Sequence, residues 1–462
     1  MKRPTLLAAL LLGSPALAAA QQPYPLPAAG WGPELGRGLM ASRWAEDWHA
    51  ARAAGQVPAF KAIGLDDDLA LTLSAEGRAR FDRFDNAQLQ AGNDYRQMLW
   101  RGVLGAELRA GPHWRVYGEL ASGQVGARQA LATANFQNTL ALQQAFAELR
   151  GGSAGLLAGA MLGRQEFADG PRQLVSLSDG PNLHRSWNGV RAYLQTPDWR
   201  LSLARLRATR LGSGRFDETV NPAERLDALT GSLRLGDTAY LDPFWYRSEN
   251  PAFRLAGRAG ADTRHTAGAR LWGRQGALRY EWTGAVQRGD AQQRPVRAWA
   301  LFAVHSLALS EQGWKPRLTA RLDLASGGGS YGSGTVHSFN PLYASSNYLG
   351  EGQFLGLSNL AMLTPGLALA PSPRSSLNLD YGIARRRDPH DAAYGGGQRP
   401  YARTAALPGR EIGSLWRVIG SWSPVPAVTL FVNLEQLRPG ALLRSAALPG
   451  ARYVYLGASY RY

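Results

Sequence analysis

The stretch LTLSAEGRARF, Leu71 to Phe81, alternates between two kinds of side chain with a period of two. Its apolar face consists of Leu71, Leu73, Ala75, Gly77, Ala79 and Phe81. Its polar face consists of Thr72, Ser74, Glu76, Arg78 and Arg80. Because successive side chains of a strand point to opposite faces of a sheet, this pattern predicts a β-strand with one apolar and one charged face.

The same alternation recurs along the chain. It returns in MLWRGVLGAELR at 98–109, in PRLTARLDLA at 316–325 and in RYVYLGASYRY at 452–462. A secreted β-sandwich or propeller is one alternative, but it would bury the apolar face and expose arginines on strand after strand. A barrel that turns its apolar face to lipid and its polar face to the lumen explains the pattern directly.

Two kinds of turn separate the alternating segments. Short turns are expected near Pro112, Gly152, Pro197, Gly236, Gln275, Gly313, Pro373 and Pro424. Long polar loops are expected at about 85–95, 124–139, 164–186, 210–227, 248–263, 288–296, 326–354, 387–410 and 438–451. The turn pattern predicts an all-β fold, a transmembrane antiparallel β-barrel of about eighteen strands over residues 65–462, with short periplasmic turns and long extracellular loops.

The amino-terminal part divides into two segments. Residues 1–20 have the charged start, short apolar stretch and small-residue end of a secretory signal peptide. Residues 21–64 are expected to form a periplasmic or lumen-entering segment. Export and a barrel together place the protein in the bacterial outer membrane, where lipid, lipopolysaccharide and the barrel assembly machinery are the expected partners.

Charge and composition restrict the chemistry. The net charge is +16, the chain has no cysteine, and only Lys2, Lys61 and Lys315 are lysine. The absence of cysteine excludes thiol catalysis, and the seven scattered histidines have no metal-site spacing such as HExxH. No metal site and no cofactor are therefore expected, and export argues against nucleic acid. The arginine content has two explanations, codon bias or recognition of anions, which guanidinium groups pair with bidentately.

The inward faces of the strands supply a candidate path for an anionic solute. We expect the path residues to be Arg78, Arg80, Arg101, Glu119, Arg191, Arg321, Asp323 and Arg417. An excess of positive charge between low-dielectric walls raises the local concentration of anions. The alternative is that these arginines and carboxylates pair across neighbouring strands only to fill the interior.

The segment GRQEFADGPRQLVSLSDGPNLHRSWNGVR, Gly163 to Arg191, is unusually rich in charge, glycine and asparagine. The turn pattern makes it the end of one strand, an external loop and the start of the next. We expect it to fold over or into the barrel mouth and to charge the entrance. Its candidate residues are Arg164, Glu166, Arg172, Asp179, Asn182 and Arg185.

Enzymatic motifs are weak. The stretch GGGSYG at 327–332 matches GxGxxG, but no helix follows that would receive a phosphate. No GxSxG elbow precedes a helix. Carboxylate pairs such as Glu107 and Glu119 fit salt bridges to lumen arginines better than glycoside cleavage. The sequence therefore predicts that the protein is not an enzyme.

Four segments resemble the alginate export family of outer-membrane barrels. Arg43 to Leu65 is similar to its RWxEDW segment, and Leu73 to Asn86 to its first strand. The 163–191 segment resembles the family's GRQ…GPNxRRS segment, with His184 where arginine is common. The segment from Phe339 to Leu363 resembles the family's FNPL segment, with Ala344 where proline is usual. The resemblance implies an eighteen-stranded outer-membrane barrel and, for the founding member, a positively lined pore for alginate.

These observations lead to one functional expectation with two alternatives. We expect an outer-membrane channel that passes an anionic solute, an acidic polysaccharide such as alginate, by passive, electrostatically guided diffusion, with periplasmic export proteins as further partners. A porin for small organic acids is the first alternative, and an outer-membrane hydrolase is the second.

Overall fold

A closed antiparallel β-barrel accounts for most of the chain. The computed structural model describes residues 39, 42–48, 52, 55, 57–127, 133–153, 155–345 and 347–462. The expected signal peptide at residues 1–20 lies outside the described residues, as does most of the 21–64 segment. Eighteen long strands, β1 to β18, pair in chain order, and β1 pairs with β18 to close the sheet. The predicted fold class and strand number are confirmed.

The strands and helices have the following bounds. The barrel strands are β1 Leu69–Asp85, β2 Tyr95–Ala110, β3 Trp114–Ala127, β4 Asn138–Ser153, β5 Leu156–Glu166, β6 Ser186–Gln195, β7 Trp199–Arg210, β8 Thr219–Arg234, β9 Ala239–Leu255, β10 Arg258–Gln275, β11 Leu278–Ala291, β12 Arg294–Ala308, β13 Arg317–Ala325, β14 Leu360–Ser372, β15 Ser375–Arg385, β16 Glu411–Val425, β17 Val428–Pro439 and β18 Ala451–Arg461. The minor elements are two-residue strands at Ile63–Gly64, Tyr394–Gly395 and Arg399–Pro400, 3₁₀ turns at Arg43–Ala45, Ala87–Leu89, Gly396–Gln398 and Thr404–Ala406, and a short helix at Ala441–Ser445. Within the described residues, no helix has the length and apolar character needed to cross a bilayer.

The alternation read from the sequence separates the two faces of the barrel wall. On β1 the side chains of Arg78 and Arg80 are buried inside, whereas Leu73 on the opposite face is exposed. Large apolar side chains elsewhere point outward in the same way, with Leu104 64% and Leu162 67% exposed. A continuous outward apolar surface of this kind requires lipid rather than water around it.

The two ends of the barrel differ as expected, except at two of the expected long loops. All eight short turns fall where the sequence places them. The loops expected at 248–263 and 288–296, however, are two-residue turns, at 256–257 between β9 and β10 and at 292–293 between β11 and β12. About ten residues suffice to cross the bilayer. The 17 residues of β9 and 18 of β10 therefore continue beyond it. The sequence there is polar on both faces because both faces meet water.

Two extracellular loops fold inward and fill part of the barrel. The 167–185 loop and the 326–359 loop join through a parallel bridge between Val175 and Tyr343. Tyr343 N donates to Leu174 O at 2.8 Å, and the ring of the fully buried Trp187 meets that of Tyr343 edge-on at 4.7 Å. These residues belong to one large buried apolar cluster, which holds both loops in place.

Candidate functional site

A cavity of about 550 Å³ lies inside the barrel, between the wall and the two inward loops. We call it the lumen cavity. Its arginines are Arg78, Arg80, Arg101, Arg172, Arg321, Arg417 and Arg461. Its carboxylates are Asp179, Glu351 and Asp380. Arginines therefore outnumber carboxylates on the surface of this cavity.

Strand β1 positions two of these arginines against the 167–185 loop. Arg78 donates to the carbonyl oxygens of Asp179 at 2.7 Å and Pro181 at 2.5 Å. Arg80 donates to the Gly180 carbonyl at 2.7 Å. Backbone carbonyls that would otherwise lose water are satisfied in this way. The strand thus fixes the loop by its tip.

Arg101 on β2 connects the wall to the same loop. Its guanidinium donates from Nε to Glu76 at 2.8 Å and from Nη1 to the Asp179 carboxylate at 2.6 Å. Glu76 also accepts from Arg461 on β18 at 3.1 Å, across the seam where the barrel closes. The charges of β1, β2, β18 and the loop form one network.

The opposite wall holds Arg321 and Arg417. Arg321 pairs with Asp323 at 2.9 Å and donates to the Tyr348 carbonyl at 3.1 Å, and the Tyr348 hydroxyl donates to Asp323 at 2.6 Å. Arg417 pairs with Asp380 on the neighbouring strand at 2.6 Å. Arg172 differs from these two, because its only described side-chain contact is with the ring of Tyr348, at 5.3 Å.

Several carboxylates lie behind the arginines. Glu76, Asp82 and Asp323 are each at most 5% exposed and do not line the lumen cavity. Each of the three pairs with an arginine of the cavity: Asp82 with Arg80 at 2.7 Å, Asp323 with Arg321 at 2.9 Å, and Glu76 with Arg101. The wall therefore presents its guanidinium groups to the cavity and keeps these three anions out of contact with it.

His184 lies at the root of the 167–185 loop between two carboxylates. Its Nδ1 contacts Glu166, and its Nε2 donates to Asp179 at 2.8 Å. Burial alone would lower the pKa of His184, but the two carboxylates outweigh it and raise that pKa to about 10. The pKa of Asp179 lies well below its usual value: burial raises it, but Arg101 and the charged His184 lower it further. Both groups are charged at neutral pH.

The described part of the amino-terminal segment contacts inward-facing side chains of β3, β4 and β5. Ser42 and Trp44 donate to Glu166 at 2.5 and 3.2 Å, and Arg115 donates to the Trp44 carbonyl at 2.7 Å. Trp44 is buried in a small cluster with Tyr117, Phe146 and Met161. Glu46 pairs with Lys61 at 3.0 Å. Residues 42–48 therefore lie within the barrel.

The remaining predicted residues lie away from the lumen cavity. Arg191 shares the buried carboxylate of Asp169 with Arg200, at 2.6 and 2.8 Å. Glu119 accepts from Tyr117 and Gln144 and, like Glu166, forms no described pair with the expected path arginines. The other three anchor the loop region, Arg164 on Glu218, Asn182 on the Phe136 carbonyl and Arg185 on the Tyr343 carbonyl.

Close packing explains one glycine of the segment. Gly170 has φ +130°, and a Cβ there would lie 1.6 Å from the Tyr246 hydroxyl. That hydroxyl donates to the Asp169 carbonyl at 2.7 Å. A side chain at position 170 would therefore displace the loop where Asp169 anchors it.

Sequence reasoning missed Arg461, Asp380, Glu351 and Tyr348. Arg461 and Asp380 fall on the polar faces of alternating strands, so the period-two pattern itself would have found them. Glu351 and Tyr348 lie in the 326–359 loop, where no periodicity exists to indicate which side chains point inward. Among the described residues, no group of three or more His, Asp or Glu side chains has the arrangement of a metal site.

The closed barrel, its apolar outer surface and its charged interior define an outer-membrane β-barrel of the channel-forming class. The family model for alginate export matches residues 69–455. The chain therefore belongs to the alginate export family, and its location is the bacterial outer membrane. A search of curated protein sequences finds no significant match.

Three solved structures of similar architecture illustrate the likeness. Pseudomonas aeruginosa OccD3 (OpdP) is 13% identical, with a TM-score of 0.59 over 87% of this chain and 93% of that one. Acinetobacter baumannii OccAB1 is 10% identical, with a TM-score of 0.58 over 87% and 98%. The P. aeruginosa outer membrane protein OpdK is 13% identical, with a TM-score of 0.57 over 84% and 98%. At these identities the likeness establishes the fold alone.

Proposed function

We propose that this outer-membrane channel passes an anionic solute, and that the solute is an acidic polysaccharide such as alginate. The observation that carries the proposal is the layering of the lumen cavity, where seven arginines face the space and three of their carboxylate partners are buried behind them. A uronate carboxylate that enters the cavity meets more guanidinium groups than carboxylates, and guanidinium groups bind carboxylates in planar, bidentate geometry.

Passive diffusion follows from how the arginines are held. Each of Arg80, Arg101, Arg321 and Arg417 already has a carboxylate partner. A solute carboxylate therefore competes with an internal one, so each contact is weak and is easily left. Transport needs sites that can be left as well as entered.

Planar-bilayer conductance of the purified protein tests the proposal. We expect anion selectivity at low salt and concentration-dependent block by alginate oligomers, both weakening as salt rises. A neutral glucan of the same length is the matched control and should not block. Cation selectivity, or the absence of polyuronate block at every salt concentration, would contradict the proposal.

A porin for small organic acids is the second candidate, and the size of the cavity favours it. A volume of about 550 Å³ falls in the usual range for small-molecule sites, roughly 300–1,000 Å³. This candidate predicts that small dicarboxylates reduce the current while alginate oligomers do not. The same bilayer experiment therefore separates the two.

We infer that the protein does not act as a hydrolase. Its fold and family are those of transport channels. The chain of contacts Ser42–Glu166–His184 has the wrong order for nucleophilic catalysis, because Ser42 donates to the carboxylate and Nε2 of His184 faces Asp179. The imidazole therefore has no hydroxyl to deprotonate. Turnover of a lipid or glycan by the purified protein would contradict this.

A further inference from the structure

A second cavity lies on the outside of the barrel, at the extracellular rim beside β12. It has a volume of about 460 Å³, and we call it the rim pocket. Its charged and aromatic lining consists of Arg297, Trp299, His337, Arg387, Asp388, His390 and Arg410. These residues come from β12 and from the loops that follow β13 and β15, so the fold brings three separate parts of the chain together here.

Strand β12 shows how this pocket is oriented toward the membrane. Arg297, Trp299 and Leu301 are all exposed on its outer face, whereas the intervening Ala298 and Ala300 are buried inside. Moving up the strand, the outer face therefore passes from an aliphatic side chain to a tryptophan to an arginine. That is the order from hydrocarbon through the interface to the headgroups.

The arginines of the rim pocket outnumber its carboxylate and form no ion pair with a described residue. In the described part of the chain, the guanidinium groups of Arg297, Arg387 and Arg410 make no hydrogen bond or ion pair, and Arg387 stacks over the Trp299 ring at 4.6 Å. The carboxylate in the lining, Asp388, accepts from the backbone N of His390 at 2.8 Å. The arginines of the lumen cavity differ, because nearly all of them have a carboxylate partner.

We propose that the rim pocket binds a phosphate group of lipopolysaccharide in the outer leaflet. Three free guanidinium groups converge on one cavity beside an interfacial tryptophan, and phosphate is the anion that arginine recognises bidentately. The pocket faces the layer in which lipid phosphates lie, and its three guanidinium groups have no ion-pair partner among the described residues. This inference is independent of the solute that the lumen conducts.

Native mass spectrometry of the detergent-solubilised protein with defined lipids tests the site. The probes are diphosphoryl lipid A, the same lipid with both phosphates removed, and inorganic phosphate. The test variant carries Arg297→Gln and Arg387→Gln together. The matched control is Arg205→Gln, which also removes an outward arginine above an exposed leucine, but one already paired with Asp227 at 3.2 Å.

We expect the double substitution to weaken binding of diphosphoryl lipid A about thirtyfold, because each unit charge about 4 Å from the phosphate contributes about sixfold even in water. The control variant should bind diphosphoryl lipid A as tightly as the unmodified protein does. The dephosphorylated lipid should bind to neither of these two proteins at the same concentration. A heat-dependent shift in gel mobility establishes that each variant is folded.

Three results would overturn the proposal. One is equal affinity of the folded double variant and the unmodified protein for diphosphoryl lipid A. The second is equal binding of the dephosphorylated lipid, which would assign the affinity to acyl chains. The third is displacement of lipid A by an equal concentration of inorganic phosphate, which would make the pocket a site for a soluble anion.

Discussion

The substitution Arg172→Gln tests whether an arginine of the lumen cavity attracts the solute without also stabilising the fold. Arg172 lines the lumen cavity and is exposed to it, and no described residue forms an ion pair with it. Its replacement therefore removes one uncompensated positive charge and leaves no buried carboxylate without a partner. Arg321→Gln would also remove one charge, but it would leave the buried Asp323 unpaired and weaken the fold.

The expected size follows from Coulomb's law. A unit charge about 6 Å from a monovalent solute in water contributes about 0.7 kcal/mol, which is about threefold in local concentration. Removing the charge lowers the local concentration of the permeant anion about threefold and raises that of the permeant cation by the same factor. The ratio of anion to cation permeability should therefore fall about tenfold. Salt at 1 M, where the Debye length is about 3 Å, should remove most of the difference.

Reversal potentials under a salt gradient, measured on single channels in a planar bilayer at low and high ionic strength, give this ratio. Arg83→Gln is the matched control, because Arg83 is an exposed arginine of β1 that does not line the cavity. An unchanged ratio at low salt in a folded Arg172→Gln channel would refute the reasoning and place Arg172 outside the ion path.

Three further perturbations test other parts of the interior. Glu166 and Asp179 raise the pKa of His184 from 6.5 to about 10, so the charge of His184 stabilises the folded loop fully below pH 6.5 and this stabilisation is lost as pH rises through about 10. His184→Gln should remove the corresponding fall in melting temperature from thermal melts recorded between pH 6 and 11, and a fall that persists in the variant would assign it to another group. Trp44→Ala deletes a buried side chain, a change that costs about 3–5 kcal/mol of stability in a core. It should release residues 42–48 from the barrel interior and increase single-channel conductance, and an unchanged conductance would mean that this segment does not narrow the path. Asp391→Asn weakens the acceptor that Ser330, Ser338 and Tyr394 share, and these hydrogen bonds hold the 326–359 and 386–410 loops together. Limited proteolysis should therefore cut both loops sooner in the variant than in the unmodified protein, and an identical digestion pattern would contradict the role of Asp391 in holding them.

The fold could be read from the sequence because its signal is local. Whether Leu73 faces lipid and Arg78 faces the lumen depends only on the alternation along one strand, and eight recognisable turns set the number of strands. The errors at 248–263 and 288–296 have a physical cause. Polarity marks where a strand leaves the membrane, and β9 to β12 leave it well before they turn.

The site could be predicted only in part, because its pairings depend on register and on loop packing. Glu76 and Arg461 are 385 positions apart in sequence and meet only because the barrel closes on itself. Arg191 was a reasonable candidate from strand periodicity, but the path of the 167–185 loop gives it Asp169 as a buried partner. His184 stood out only as a departure from the family pattern, and its two carboxylate partners lie at distances that no sequence spacing encodes.

The burial of carboxylates behind the arginines determines how far the lumen can act on a solute. A guanidinium at the surface with its anion directly behind it is a dipole that points across the wall, and the field of a dipole declines faster with distance than that of a lone charge. The interior should consequently exert little pull on an anion still outside the mouth. Arrival would then be governed by diffusion and by the width of the opening, and an extended polyanion would feel the wall only along the length already threaded.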